Sequence, residues 1–378
     1  PVPATLTELF MPLSRFFSIG FLSLCLPLAA HAAVLDSLYE GQLPPQADAE
    51  QGAQLSSALD VMLERLAGNN LDAEAPALAK VLAEPSSVTR QISALQDDGS
   101  MQVEFDPLLL RDALSQAKVP VLGRNRPGVL VWAVQRDELG GDFMAPGSEM
   151  GQALRTAARF RGVALMQPLS DLEDRANISE DDVLKGAAEA LEAASERYAS
   201  EGILALDVYR DAGEDWQLAW TFWLNDRTLE GKERNADPAV LADNLMRALA
   251  LEVHSQYAVG AQADGTASGW TLHISGINRV GAFADLQRSL QQLSSQHQPS
   301  LVSVSGDQVV FAIDFPGDQA QLERMLMLDQ RLIRVEAPVQ PASEPEAPAS
   351  SLEDGAAIEP ELPVQAAAPS NTLYYRWR

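Results

Sequence analysis

Residues 270–276 read WTLHISG and residues 309–315 read VVFAIDF. In both stretches apolar side chains recur at every second position, a pattern typical of a β-strand with one buried face. Between the two stretches, four apolar residues recur at helical spacing: Phe283, Leu286, Leu290 and Leu293. This part of the chain is therefore predicted to combine an amphipathic helix with strands.

The order of the elements around these strands indicates the fold of the region. A strand at Leu301–Val304 meets the second stretch through the turn Ser305-Gly306-Asp307, a helix lies near Gln319–Leu326, and a last strand covers Leu332–Val335. The resulting order over residues 268–336 is strand, helix, strand, strand, helix, strand. This is the order of the ferredoxin-like split βαβ plan, so we expect a ferredoxin-like domain, which by itself specifies no function.

An N-terminal mixed domain is predicted over residues 33–122. Its first helix, capped by Asp48 and followed by Gly68, has a stripe of leucines and Met62 on one face. The turn Asp97-Asp98-Gly99 predicts a hairpin. The other predicted elements are strands at Leu38–Leu43, Val88–Leu95 and Ser100–Phe105, and helices at Ala73–Ala83 and Pro107–Gln116.

A middle domain is predicted over residues 126–258. The continuous apolar run Val129–Val134 indicates a strand buried on both faces. Ser179 and Asp182 form a capping box for a helix expected to reach Tyr198, and Asp237 caps a long final helix. The other predicted elements are a helix at Ser148–Phe160 and strands at Val163–Met166, Ile203–Tyr209, Asp215–Leu224 and Arg227–Lys232. The whole chain is thus expected to be α/β in the broad sense (α+β), built from several small domains.

The composition changes after the third domain. Residues 337–370 contain seven prolines and six acidic residues but no Lys or Arg, which predicts a disordered, extended linker. The last residues, 371–378, read NTLYYRWR and are strand-like. Two interpretations remain open for them: pairing at an edge of the chain's own third domain, or recognition by a partner.

Residues 11–32 have the layout of a secretory signal peptide. Arg15 precedes an apolar run from Phe16 to Ala30, and Ala30-His31-Ala32 supplies the small-residue cleavage pattern. Met11 is the expected natural start, and the run is short for a membrane-spanning helix. We therefore expect cleavage after Ala32 and a periplasmic location, with an uncleaved anchor as the alternative. Cleavage would also remove Cys25, the only cysteine.

The charge balance restricts the classes of partner. Acidic residues outnumber Lys and Arg by 53 to 27, and the net charge is −26. Nucleic acids and anionic lipid surfaces require clustered positive charge, so neither is an expected partner. After cleavage no segment is apolar and long enough to predict a transmembrane helix.

Residues for catalysis or for metal binding do not form a recognisable motif. His254, His273 and His297 lack metal-ligand spacing and are interpreted as surface residues. The acidic stretch Asp171–Asp174 permits a calcium site but lacks the EF-hand glycine, which favours a structural loop. We therefore expect no catalytic residues, cofactor or metal, although a pair of carboxylates acting on envelope glycan or peptide remains an alternative.

Basic and aromatic side chains supply the candidates for partner binding. Several arginines lie near one another in the sequence of an otherwise acidic chain. They indicate either a site for an anionic partner or separate charges exposed to solvent. Trp223 lies opposite the alternating face Trp216, Leu218, Trp220, Phe222 and Leu224, which is predicted to be sheet core. The candidate residues are Arg124, Arg126, Arg155, Arg159, Trp223, Tyr374, Tyr375 and Trp377.

Five stretches resemble an exported proteobacterial family described as domain of unknown function 2066. They are DVMLERLAG (Asp60–Gly68), VEFDP (Val103–Pro107), RPGVLVW (Arg126–Trp132), FRGVALMQPLSDLED (Phe160–Asp174) and ASERYASEGILAL (Ala194–Leu206). The resemblance spans about Leu35 to Tyr257, and a continuation beyond Tyr257 is left open. It implies export and an envelope location, without catalytic residues to transfer.

The middle domain is similar, more loosely, to the amino-terminal domain of the periplasmic Tol–Pal translocation protein and to certain outer-membrane lipoproteins. The similarity rests on Tyr198–Leu206, Trp216–Leu224 and Ala239–Tyr257. Those relatives bind and assemble other proteins. The sequence thus favours a non-enzymatic interaction or assembly module of the envelope with an unknown partner protein; the alternatives are a carboxylate hydrolase and a binder of small anions.

Overall fold

The computed structural model describes residues 33–35, 37–43, 51–69, 71–95, 100–138, 140–210, 215–260, 268–293, 298–337 and 371–378. The expected signal peptide at 11–32 lies outside these residues, and so does the expected linker at 337–370 except for Ala337. Helices and mixed or antiparallel sheets alternate along the described chain, which confirms the α+β class. Among the described residues, no helix combines the length and apolar character needed to cross a bilayer.

The first region is a small sheet covered by helices. Its elements are β1 (Ala33–Val34), β2 (Glu40–Leu43), α1 (Gln51–Ala67), α2 (Pro76–Ala83), a 3₁₀ turn (Pro85–Val88), β3 (Thr89–Leu95), β4 (Ser100–Phe105) and α3 (Pro107–Gln116). The sheet has the antiparallel order β2-β4-β3. Helix α1 ends where Gly68 adopts a φ of +60°. Helix α2 begins three residues later than predicted because Pro76 occupies its first turn.

The middle region contains the largest sheet. Its elements are β5 (Asn125–Arg126), β6 (Gly128–Asp137), β7 (Gly140–Phe143), α4 (Glu149–Arg161), β8 (Ala164–Met166), α5 (Leu172–Asn177), α6 (Glu180–Leu184), α7 (Ala188–Ser195), β9 (Gly202–Arg210), β10 (Trp216–Leu224), β11 (Arg227–Asn235) and α8 (Pro238–Tyr257). The strand order is β11-β10-β9-β6-β7, with β8 also paired to β6. The first half of β6 is buried on both faces, as the apolar run predicts.

One local prediction in this region needs correction, and three short elements were not predicted. The prediction of a single helix from Ser179 to Tyr198 is wrong. The capping box at Ser179 is present, but the helix ends before Gly186, whose φ is +61°. The break separates α6 from α7 because a left-handed residue cannot continue a right-handed helix. Strands β5 and β7 and helix α5 were not predicted.

The third region has the predicted order of elements and one addition. It comprises β12 (Ser268–Ser275), α9 (Val280–Leu293), β13 (Ser300–Ser305), β14 (Gln308–Phe315), α10 (Gln319–Met327), β15 (Leu332–Arg334) and β16 (Thr372–Trp377). The sheet order is β13-β14-β12-β16-β15. In a ferredoxin-like sheet the counterparts of β12 and β15 are neighbours, whereas here the C-terminal strand separates them.

Candidate functional site

The C-terminal strand lies inside the sheet of the third region. Strand β16 runs parallel to β12, with Thr372 opposite Thr271 and Arg376 opposite Ser275, and antiparallel to β15. Its ends are fixed by main-chain hydrogen bonds: the Thr271 amide donates to the Asn371 oxygen and the Arg378 amide to the Arg331 oxygen, both at 2.9 Å. We name the position between β12 and β15 the strand slot.

One face of β16 completes the hydrophobic core. Leu373, Tyr375 and Trp377 alternate along the strand and are buried in the same cluster as Leu272 and Ile274 of β12. The period of two in the terminal peptide thus places every second side chain on the side covered by helices. The tail prediction is therefore partly corrected: the peptide does pair with its own third domain, but in the interior of the sheet instead of at an edge.

The other face of β16 is less covered. The ring of Tyr374 stacks on that of His273, with centroids 4.9 Å apart, and Arg376 is exposed. Of the three aromatic residues of the terminal peptide that were expected to meet a partner, Tyr375 and Trp377 are buried, because they pack inside the chain's own core. Tyr374 remains half-buried on the open face.

Arg331 and Asp329 hold the C-terminal end of β16 in the strand slot. The Arg331 guanidinium lies over the Trp377 ring, 4.5 Å from its centroid, and it donates two hydrogen bonds of 2.8 Å to the carboxylate of Asp329. Burial tends to raise the pKa of Asp329, but the hydrogen bonds and charge of Arg331 outweigh it and hold that pKa below its ordinary value. Asp329 is consequently ionised at neutral pH and keeps Arg331 against the tail.

One edge of the same sheet is formed by β13, and the other by β15. Strand β13 pairs with β14 on one side, and no described strand pairs with its other side. All six of its residues are exposed, including Leu301 at 45%, Val302 at 60% and Val304 at 58%. A bulge between Leu301 and Ser303 shifts the register. The edge therefore presents main-chain donors and acceptors beside apolar side chains.

Arg126, a candidate for anion binding, is buried at the junction between the first and middle regions. It is 1% exposed, and its guanidinium donates to the main-chain oxygens of Gly162 and Arg65 at 2.7 Å and of Gly123 at 3.1 Å. Burial lowers the pKa of Arg126 to about 9, and the neighbouring charge of Arg65 acts in the same direction. Its expected role as a surface contact is wrong, because carbonyl groups enclose it.

The other arginines of the group lie in different surroundings. Arg124 is exposed above the Tyr39 ring, and Arg159 is exposed on α4. Arg155 is half-buried and donates to the Pro146 oxygen and, at 3.3 Å, to Gln167. Arg161 is paired with Glu64 and Asp243 at 2.7 and 2.6 Å, which joins α4 to α1 and α8. These side chains therefore differ in their environments, and binding of an anionic partner at Arg124, Arg155 and Arg159 stays a prediction.

Trp223 and the core face of β10 lie on the two faces of the strand that the alternating sequence pattern predicts. Trp216, Trp220 and Phe222 are buried, whereas Trp223 is half-buried on the opposite face. The Trp223 ring lies near Gly186, 3.6 Å from the position of a β-carbon there. A partner contact at Trp223 stays a prediction.

Two of the three histidines considered for metal binding have defined environments. His254 is not a surface residue as expected: it is 4% exposed, its ring lies against Gly68, and its Nε2 atom is 3.3 Å from the Pro120 oxygen. The close contact is possible because Gly68 has no side chain. His273 stacks on Tyr374, and His297 lies outside the described residues.

The acidic stretch considered for calcium is bound by protein groups. Arg197 pairs with Asp171 at 2.9 Å and with Asp174 at 3.0 Å, and the Tyr198 hydroxyl donates to Asp174 at 2.6 Å. Asp171 also caps α5 by accepting from the amides of Glu173 and Asp174. This geometry is that of a structural loop fixed by Arg197.

An open groove of about 500 Å³ lies beside β7 and the start of α6. Its lining includes the carboxylates Asp137, Glu138, Glu180 and Asp181. Asp181 pairs with Lys185, Glu180 lies 3.7 Å from Arg175, and Asp137 accepts from the Gly140 amide at 3.2 Å. Because most of these acids already have partners, the groove does not favour the hydrolase alternative.

Comparison with known families tests the predicted resemblance to the family described as domain of unknown function 2066. The family model described as DUF2066 matches residues 268–352. The predicted resemblance to this family is thus confirmed for the third region and the residues after it, but not for the stretches between Leu35 and Tyr257 that pointed to it. A second model, described as domain of unknown function DUF8605, matches residues 32–123. Both descriptions leave the function open.

Comparison with individual proteins adds little. No curated protein matches. The crystal structure of protein VC0702 from Vibrio cholerae is 13% identical, covers 34% of this chain and 72% of its own, and has a TM-score of 0.17. A similarity at that TM-score carries no argument about the fold. The resemblance to the Tol–Pal protein stays a prediction.

Proposed function

We propose that this protein is a non-enzymatic interaction or assembly module of the cell envelope. In this proposal it is exported to the periplasm, and its third region binds an extended segment of another envelope protein by strand pairing. The observation that carries the proposal is the edge strand β13, whose outer main-chain groups have no described partner strand.

The composition of β13 supports strand addition. Soluble proteins commonly protect an exposed edge with charged residues, proline or a bulge. The sequence SLVSVS at Ser300–Ser305 contains neither charge nor proline, and only the bulge after Leu301 interrupts it. A partner strand would pair with the free amides and carbonyls and cover Val302 and Val304, whose apolar surface is mostly exposed.

The chemistry of the partner follows from the strand and from the net charge. An added strand requires an extended segment with alternating apolar side chains, because β13 alternates its own side chains between two faces. The net charge of −26 favours a neutral or basic segment over an acidic one. Strand β16 is an example within this chain: Leu373, Tyr375 and Trp377 alternate with Thr372, Tyr374 and the basic Arg376.

Affinity capture from envelope extracts tests the proposal. The wild-type protein is compared with the double variant Val302→Lys, Val304→Lys, which puts two charges on the edge strand. The matched control carries Thr156→Lys and Thr228→Lys, which add the same charge at exposed positions of the middle region. We expect one identifiable envelope protein to be captured by the wild type and the control and lost with the β13 variant. Equal capture by all three proteins would contradict the role of the edge.

A further inference from the structure

We propose that residues 371–378 exchange between copies of this chain, so that β16 of one copy fills the strand slot of a second copy. This inference goes beyond the proposed function, because it concerns the slot between β12 and β15 instead of the edge at β13, and its partner is the same protein. It rests on the position of β16 in the sheet, on the contacts that hold it and on the length of chain that precedes it.

The length of that chain exceeds what pairing within one copy requires. Strands β15 and β16 are antiparallel neighbours, with Arg334 opposite Tyr375 and the Val335 amide donating to the Tyr374 oxygen at 3.0 Å. Ala337 and Asn371 consequently lie at the same end of the pair. Two strands in this relationship are commonly joined by two to five residues. Here 33 residues, 338–370, stand between them.

The longer connection lowers the advantage that β16 has in pairing within its own chain over pairing with a second copy. The effective concentration of a tethered segment falls roughly as the −3/2 power of the length of its tether. Replacing a four-residue connection by 33 residues therefore lowers the effective concentration of the tail at its own slot by about 20-fold. A chain of 33 residues also reaches about 110 Å when extended, several times the diameter of a domain of this size.

The contacts that hold β16 are made by residues that line the strand slot. Leu373, Tyr375 and Trp377 enter a core formed by β12, β14 and the two helices of the third region, and Gly276 leaves room for the Trp377 main chain. None of these contacts depends on how residue 337 is connected to residue 371. A second copy offers the same slot, so the same contacts form whichever copy supplies the strand.

An empty slot is an unfavourable state, which favours exchange over simple release. Without β16 the main-chain groups of β12 that face it lose their partners, and β15 loses its only neighbouring strand among the described elements. The side chains opposite the tail would also be exposed to water. A slot vacated by its own strand is therefore expected to take up the strand of another copy at high protein concentration.

Disulfide trapping tests the inference with the full chain. Ser275 and Arg376 are opposite each other in the β12–β16 register, and the α-carbons of paired strands are about 5 Å apart, within the range of a disulfide. Both proteins carry Cys25→Ser. One copy also carries Ser275→Cys and the other Arg376→Cys, and the two are mixed under oxidising conditions. We expect a disulfide-linked dimer on a non-reducing gel, because only strand exchange brings these positions together.

Two controls make the result decisive. A single chain with both substitutions should form an intramolecular disulfide, which reports the register itself. A mixed pair carrying Ser303→Cys and Val310→Cys, which face each other across the β13–β14 hairpin, should not form dimers. The inference is overturned by an intramolecular disulfide without the mixed dimer, by equal dimer formation in the hairpin pair, or by the absence of both disulfides, which would show that the register does not exist.

A change of the connection provides a second measurement. Deleting residues 345–367 leaves ten residues before Asn371 and raises the effective concentration of the tail at its own slot about six-fold. The yield of mixed dimer should fall by about the same factor. An unchanged yield would mean that dimers form without release of the strand and would overturn the inference. Neither experiment measures pairing at the β13 edge, where Ser303→Cys serves only as a control, so failure here leaves the proposed function separately testable.

Discussion

The main-chain oxygen of Trp377 lies 2.7 Å from the position that a β-carbon on Gly276 would occupy. Gly276 directly follows β12 and has a φ of +86°, a conformation that residues with a side chain rarely adopt. Two parts of the chain that are remote in sequence thus meet with no room for a methyl group between them. The position of β16 therefore depends on the backbone at Gly276 as well as on the hydrophobic core.

Gly276→Ala is expected to destabilise the third region. The substitution combines backbone strain with the clash at the Trp377 oxygen, and together these should lower the free energy of unfolding by about 1–3 kcal/mol. Gly269→Ala is the matched control, because no atom lies within 4 Å of its β-carbon position. Urea denaturation measures both variants. Equal stability of the two would show that Gly276 does not restrict the tail.

Arg126→Met is expected to weaken the junction between the first and middle regions. The substitution leaves the carbonyls of Gly162 and Arg65 without their charged donor, and loss of such hydrogen bonds should cost about 3 kcal/mol. Arg124→Met removes only an exposed arginine above Tyr39 and should cost less than about 1 kcal/mol. Denaturation curves for the two variants compare them directly. A smaller effect at Arg126 than at Arg124 would contradict the structural role.

His254 is expected to make stability depend on pH below neutrality. Burial lowers the pKa of His254 from its ordinary value of 6.5, although the hydrogen bond to Pro120 opposes the shift and the charge of Arg126 adds to it. The unfolded chain then binds more protons than the folded chain as the pH falls below 6.5. The contribution of His254 is therefore complete above that pH and is lost as the pH falls towards the folded-state pKa.

His254→Phe tests this pH dependence, because it keeps a ring against Gly68 but cannot titrate. The free energy of unfolding of the wild type should fall between pH 7.5 and 5.5, with a slope of at most about 1.4 kcal/mol per pH unit from this residue. The slope of the variant should be smaller. Parallel slopes for the two proteins would show that His254 keeps an ordinary pKa in the folded state.

Local patterns in the sequence predict the elements of this protein well. Helix α3 has the predicted bounds, and Asp237 caps α8 as expected by accepting from the Ala239 amide. The order of elements in the third region is also predicted, because each element has its own periodicity and turn. Gly186 is the exception, since a glycine within a helical pattern does not reveal whether the helix continues.

The positions of β16 and of Arg126 depend on distant parts of the chain. The alternation in NTLYYRWR predicts a strand and its core face, but it contains no information about which two strands accept it. The arginine grouping predicts local positive charge, but the burial of Arg126 depends on carbonyl groups supplied by Arg65 and Gly162. A charge pattern does not distinguish a solvated arginine from one enclosed by the backbone.

Export is expected to produce a chain that begins at Ala33. We expect the arginine, apolar run and small residues of residues 11–32 to be recognised and cut during secretion, so that the product lacks Cys25. Mass spectrometry of periplasmic and cytosolic fractions measures the first residue and the location together. A full-length chain in the cytosol that retains Cys25 would contradict both.

Leu373→Ala and Tyr374→Ala distinguish the two faces of the last strand. Leu373 is buried in the core, so its truncation should cost about 3 kcal/mol of unfolding free energy and expose the tail to carboxypeptidase. Tyr374 lies on the open face, where its stacking on His273 accounts for about 1 kcal/mol, and its loss should leave the tail protected. If both variants lost protection equally, the open face would hold the tail as strongly as the core does. Protection of the Tyr374 variant alone would show that the buried side of β16 fixes it in the slot.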